Sequence, residues 1–307
     1  MKTSEYPVAT PVTNDLTFLW MEITAKCNLY CTHCYADSGP EGDLYGSMTY
    51  NDWTGVLDEA ADLGCRSLQF IGGEPTMHPR LPDLINHANQ QGFGFIEVYT
   101  NATRLGPRLV GCFQHNGVHV ATSFYTDDPQ LHERITQGEG SWQRTVNGIE
   151  SVLAAGLPLR VGVVETDHNL SHGPRAIEFL RTLGVRNIRV DRQRGVGRGQ
   201  LEHVECEGEH YEELCGACWK GKLCVTSNAE VFPCVFSRAT RLGDARSGLR
   251  TILQTALLTE FRYKVRERNP EPSIDCNPLS DCNPNNCNPN NCNVDSCGPS
   301  SCAPCNP

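Results

Sequence analysis

The chain is 307 residues long, 39% hydrophobic and 20% charged, with a formal net charge of −10. This length buries a large core with room for a second, smaller unit. No run approaches the ~20 apolar residues of a membrane span, the first residues lack the apolar stretch of a signal peptide, and no basic cluster offers itself to phosphates, so a cytoplasmic protein with no membrane and no nucleic-acid partner is expected.

From Phe18 to Asp191 short apolar strands alternate with amphipathic helices. The predicted strands are FLWMEIT, SLQFI, FGFIEVYT, VHVATSF, LRVGVVE and NIRVD. Between the first two, TYNDWTGVLDEAADLG puts Trp53, Val56, Leu57, Ala60 and Leu63 on one helical stripe, with Gly64 as a stop. LPDLINHANQQG, SWQRTVNGIESVLAAG and GPRAIEFLRTLG repeat the pattern. Six strands with crossovers predict parallel βα units with right-handed connections, as an open barrel or a doubly wound sheet. In both, ligands gather at the carboxyl ends of the strands. Residues 201–270 differ: a short hairpin-like LCVTSNAEVFPC precedes one predicted helix around LRTILQTALLTEFRYKV. Residues 271–307 have almost no apolar content except thiols and cannot build a core, so this tail is expected to be disordered until metal binds.

The 17 cysteines are the unusual feature. An odd count without an export signal argues against a disulfide framework, and clustered thiols in a reducing compartment are more often ligands of metal or iron–sulfur groups. They fall at residues 27–34, 206–234 and 276–305, with Cys65 and Cys112 alone and read as small core residues. CNLYCTHCY presents Cys27, Cys31 and Cys34 just beyond the first strand. Three thiolates fall one short of a structural zinc site, which would have to recruit His33 or a distant ligand. They also suit a 4Fe–4S cluster, which usually takes four cysteines and here would keep one open iron position.

Several stretches in the same order resemble the radical S-adenosylmethionine (radical SAM) family. CNLYCTHCY is similar to its cluster loop, with Cys27, Cys31 and Cys34 at the ligand positions and His33 at the aromatic position before the last. FIGGEP, holding Gly72, Gly73, Glu74 and Pro75, is similar to the turn that hydrogen-bonds the methionine amino group; its glycines let backbone approach closely and Glu74 supplies an acceptor. YTNA ends the third strand where the family often has TNG, so Thr100 and Asn101 face the site. TSFYTDDPQLHERITQGEGSW resembles the family's SLDG…H…IRG…GSF stretch, with Ser123 at a cosubstrate-contacting position and Tyr125 in place of the usual aspartate. GVGRG at residues 195–199 resembles a glycine–arginine turn whose Arg198 reaches a carboxylate.

The resemblance implies a partial (β/α)6 TIM-like barrel over 18–200, preceded by an N-terminal segment 1–17. It implies an S-adenosyl-L-methionine cosubstrate on a 4Fe–4S cluster, cleaved after one-electron reduction to a 5′-deoxyadenosyl radical that abstracts hydrogen from substrate. CGACWKGKLCVTSNAEVFPC resembles the auxiliary-cluster region of SPASM and twitch extensions, which occur in radical SAM enzymes that modify peptides. Cys215, Cys218, Cys224 and Cys234 are the implied ligands of an auxiliary 4Fe–4S cluster over 201–270, with zinc the alternative and Cys206 a substitute; Ala229 stands where the pattern has glycine. The seven tail cysteines, spaced about five apart, each present a sulfur on a turn. The implied function is maturation of a ribosomally made precursor peptide by crosslink or epimerisation. The implied partners are an electron donor such as a flavodoxin or ferredoxin and, since under 20 residues precede the first strand, a separate leader-binding protein. A small-molecule substrate such as a sugar or nucleoside, and a non-catalytic metal carrier, are the alternatives.

Overall fold

The computed structural model describes residues 15–200 and 210–268. Cys206 and the seven tail cysteines therefore lie outside the described residues. Six parallel strands appear where the apolar runs predict them: β1 (Phe18–Glu22), β2 (Ser67–Ile71), β3 (Phe95–Tyr99), β4 (His119–Phe124), β5 (Leu159–Glu165) and β6 (Asn187–Arg192). Each pairs with its sequence neighbour, in the order β6-β5-β4-β3-β2-β1. The helices between them are α1 (Tyr50–Asp62), α2 (Leu81–Gln90), α3 (Pro107–His115), α4 (Pro129–Thr136), α5 (Ser141–Ala154) and α6 (Gly173–Thr182).

Local chemistry sets these boundaries. Thr49 caps α1 with a reciprocal box: its hydroxyl accepts from Asp52 N–H at 3.2 Å, and the Asp52 carboxylate accepts from Thr49 N–H at 2.8 Å. The stripe Trp53, Val56, Leu57 and Ala60 is buried, as its spacing predicts, and packs with Leu19, Met21, Leu68 and Phe70 of the sheet. Cys65 is buried in this core and Cys112 packs against it. Val161 and Val163 pack with Ile149 of α5 and Leu180 of α6 in a second cluster.

Since side chains alternate across a strand, the other face carries Trp20, Gln69, Glu97, Tyr99, Ser123 and Arg160. It is unusually polar. Arg160 Nη2 meets Glu97 Oε2 at 2.6 Å with both side chains almost fully buried, and Gln69 donates to the same carboxylate.

The sheet does not end at β1. The hairpin predicted in residues 223–234 is β7 (Lys222–Thr226) and β8 (Glu230–Phe232), followed by the short β9 (Gly243–Asp244). β7 runs parallel to β1, with Trp20 opposite Cys224, so nine strands form one sheet. The single predicted helix over 249–265 is instead two, α7 (Leu249–Leu253) and α8 (Ala256–Arg268). Thr255 breaks it: its hydroxyl accepts from Leu258 N–H at 3.4 Å and starts the second helix. Phe261 and Val265 of α8 then close over Phe18, Trp20 and Cys224.

Candidate active site

A cavity of about 1050 Å³, open mouth included, lies at the carboxyl ends of β2–β6. Cys27, Cys31 and Cys34 all line it, on a loop that is fastened on three sides. Cys27 N–H donates to Gly39 O at 3.0 Å, Thr32 N–H to Ile135 O at 3.0 Å, and Arg198 N–H to Cys34 O at 3.0 Å. Asn101 reaches over from the end of β3, with its side-chain amide 3.8 Å from the Cys27 sulfur. Tyr125 lies beside the Cys31 thiol and lines the same cavity.

Burial pushes the Cys27 thiol up to about 12, with the Glu74 charge adding to it. Cys31 is pushed up as well, by burial and then by the Cys34 and Cys27 charges. Three thiolates this close and this dry repel one another, so their ionised form needs a bound cation. Among the described residues no three Cys, His, Asp or Glu side chains converge on a point that would hold a single ion. The three thiols share one cavity wall. That donor set fits a multi-iron group held by three sulfurs.

The other predicted contacts divide into two sets. His33, Gly72, Gly73, Asn101 and Ser123 line the cavity with the thiols, as does Thr100. Ser123 shares a 2.8 Å hydrogen bond with the Tyr99 hydroxyl. His33 is held neutral, its pKa lowered to about 4 by burial and then by Arg198. Glu74 and Pro75 do not line the cavity. Both are buried, and the Glu74 carboxylate is saturated by protein donors: Thr76 N–H at 3.0 Å, Thr76 Oγ1 at 2.6 Å, Thr100 Oγ1 at 2.6 Å and Asn101 N–H at 2.7 Å. It ties the end of β2 to the end of β3, and is not free to take an ammonium from a ligand. Gly72 and Gly73 permit the same docking: a Cβ on either would strike the carbonyl of Thr24 or Lys26, just ahead of the thiol loop.

Arg198 does reach a carboxylate, that of Asp37. It faces the outside of the loop, donating to Cys31 O at 2.9 Å, Ser38 O at 2.6 Å and Asp37 Oδ1 at 2.7 Å, and it lies 3.9 Å from the Tyr30 ring centroid. It braces the thiol loop. Gly197 beside it has φ +60 and a Cβ there would meet the Cys34 carbonyl, so the turn must be glycine.

Residues with no sequence signal complete the wall. Tyr35 and Phe236 line it with rings 5.2 Å apart, together with Gln69 and Arg194. Arg194 donates to Asp191 at 2.8 Å. Phe236 stands two residues beyond Cys234 and packs with the second group of thiols. There Cys215 and Cys218 sulfurs are 3.8 Å apart, Cys218 also neighbours Cys234, and Cys224 neighbours Cys234 and Glu22. Cys218, Cys224 and Cys234 are buried. The Cys215 thiol is pulled well below its ordinary value by the Cys218 hydrogen bond, with Lys222 and Arg194 adding positive charge; Cys218 is pushed up correspondingly.

Residues 21–188 match the family model described as the radical SAM superfamily. The chain belongs to the radical SAM superfamily. Membership brings a 4Fe–4S cluster and S-adenosylmethionine as cofactors. The chain is 30% identical to a PqqA peptide cyclase of Streptomyces rochei over 301 residues, covering 85% of this chain and 79% of that protein. It is 32% identical to the PqqA peptide cyclase of Ruegeria pomeroyi over 173 residues, which is 55% of this chain and 45% of the relative, so it spans about half of that length. Streptococcus suis SuiB, solved bound to its precursor peptide SuiA, shares the fold with a TM-score of 0.67 at 17% identity, over 81% of this chain and 67% of SuiB. Among the described residues no helix is long and apolar enough to cross a membrane.

Proposed function

We propose that this radical SAM enzyme matures a ribosomally made peptide in the cytoplasm, with residues 18–200 as its catalytic core and 201–270 as an auxiliary-cluster region. In this reading Cys27, Cys31 and Cys34 hold the 4Fe–4S cluster that binds S-adenosylmethionine, and Cys215, Cys218, Cys224 and Cys234 hold a second. The observation that carries it is Phe236. It packs with Cys218, Cys224 and Cys234 and also lines the cavity, so one segment serves both. The peptide-cyclase relatives and the likeness to SuiB support a peptide substrate.

A 4Fe–4S cluster held by Cys27, Cys31 and Cys34 would supply the single electron needed for reductive cleavage of S-adenosylmethionine. The chain's own residues bind and orient. Gly72 and Gly73 present backbone at the end of β2, Asn101 and Tyr125 lie beside the sulfurs of Cys27 and Cys31, and Arg198 keeps the loop from opening. Val164, Tyr35 and Phe236 keep water from the reacting atoms. Tyr35, Tyr99 and Tyr125 are the lining side chains that offer phenolic hydroxyls to a substrate. The precursor peptide, an electron donor such as a flavodoxin or ferredoxin, and a leader-binding protein are the proposed partners.

Anaerobic reconstitution tests this. About eight irons per chain are expected, with deoxyadenosine formed on reduction and loss of two hydrogens from a peptide encoded beside the gene. About four irons would remove the auxiliary site; an unchanged peptide mass, with one deuterium taken up from heavy water, would replace crosslinking by epimerisation.

A further inference from the structure

His132, on the inner side of α4, is fully buried and lines the cavity, yet neither ring nitrogen has a hydrogen-bond partner among the described residues. Buried polar atoms are almost always bonded, and an exception inside a ligand cavity marks a place for a ligand atom. Burial lowers its pKa to about 3, so the imidazole is neutral and offers one donor and one acceptor.

Its surroundings define the ligand. His132 lies 5.2 Å from the Tyr125 ring and 5.3 Å from that of Phe124, and His33 lies 5.0 Å from Tyr125. His33, Tyr125 and His132 thus form a row of rings at the β4–β5 side of the cavity, beside Val164. The Gly72–Gly73 turn lies at the end of β2, two strands away. Neighbouring strands are ~4.8 Å apart, so the two ends are separated by roughly 10 Å. A ligand whose amino-acid end lies at β2 and whose other end is a flat heteroaromatic ring spans that distance. S-adenosylmethionine is such a ligand.

We infer that His132 is a hydrogen-bonding contact for the adenine edge of the cosubstrate, and that it selects the base. Tyr125 and His33 supply an aromatic wall; His132 supplies the polar contact that separates adenine from other purines. The inference needs only the family's cosubstrate, so it stands or falls separately from the peptide reading.

The test is equilibrium dialysis of the anaerobically reconstituted full chain, at matched iron content, with S-adenosylhomocysteine and with its deaminated counterpart S-inosylhomocysteine. Wild type is expected to prefer the adenine compound. His132→Phe keeps a ring in the row and removes both nitrogens; it should bind S-adenosylhomocysteine about tenfold more weakly and lose the preference, with melting temperature unchanged. His132→Gln should recover part of both. Three results would overturn the inference: wild type binding the two compounds equally, His132→Phe binding as wild type, or His132→Phe weakening both equally with the preference intact. Should the Phe variant fail to fold, His132→Met is read by the same criteria.

Discussion

The Asn101 backbone N–H donates to the Glu74 carboxylate at 2.7 Å, and the Asn101 side-chain amide lies 3.8 Å from the Cys27 sulfur. The acid of the GGEP turn therefore reaches the thiol loop through β3, by ordering the residue that touches it. Glu74→Gln replaces one acceptor oxygen by a donor amide facing N–H or O–H groups. A loss of about 2–3 kcal/mol of stability is expected, read by urea unfolding, together with looser iron retention. Glu74→Gln unfolding at the wild-type midpoint would mean that the carboxylate is not needed where it stands.

Arg198 makes three side-chain hydrogen bonds to the back of the thiol loop. Lysine keeps the charge but not the planar fork, and it stacks poorly on Tyr30. Arg198→Lys should lose most of the iron held by the trio while the quartet's share remains, so that iron content falls by about half if each site holds four. Equal loss from both sites would show general unfolding; no loss would show that the brace is dispensable.

Much of this was legible in the residues. The six parallel strands follow from β-branched and aromatic runs, and the buried helix stripes from their spacing. Helices α3 and α4 carry weaker patterns: only Phe113 of α3 is fully buried, so no apolar stripe announces it. The pairing of β7 with β1 joins residues some 200 positions apart, and nothing local in LCVTSNAEVFPC records it. Site residues were legible by type and not by direction. GGEP and GVGRG stand in family order, yet Glu74 and Arg198 do not line the cavity: Glu74 is held by Thr76, Thr100 and the Asn101 N–H, and Arg198 by Asp37 and the Cys31 and Ser38 carbonyls, partners that no local pattern announces. His132 belonged to a quoted stretch without a role; its importance lies in two unbonded nitrogens, which only packing reveals.

Asp191 is a buried carboxyl beside Arg194, and burial outweighs the ion pair and raises its pKa to about 6. The folded state thus holds a proton that the unfolded chain releases near 4. Between about pH 4 and 6 this residue's contribution to stability falls as pH rises, with a limiting slope of ~1.4 kcal/mol per unit, and is flat above 6. Asp191→Asn removes the dependence. Unfolding midpoints of both proteins from pH 4 to 8 should differ by an amount that changes only in that window; parallel profiles would place the proton elsewhere.

Ala102 and Ala229 stand where the family patterns resembled by YTNA and by the cysteine hairpin have glycine, and they have φ +61 and +63. An L-residue in this region costs ~1–2 kcal/mol. Glycine would relieve it, at the expense of a buried methyl group worth ~0.8 kcal/mol. Ala102→Gly and Ala229→Gly are each expected to stabilise by about 0.5 kcal/mol, or 1–2 °C for a domain of this size. Ala229→Val should destabilise by well over 1 kcal/mol, because a β-branched residue tolerates this φ least. Calorimetry of the Gly and Val variants of Ala229 decides it. A valine variant melting with or above the glycine variant would show that the hairpin turn does not hold this residue in the left-handed region.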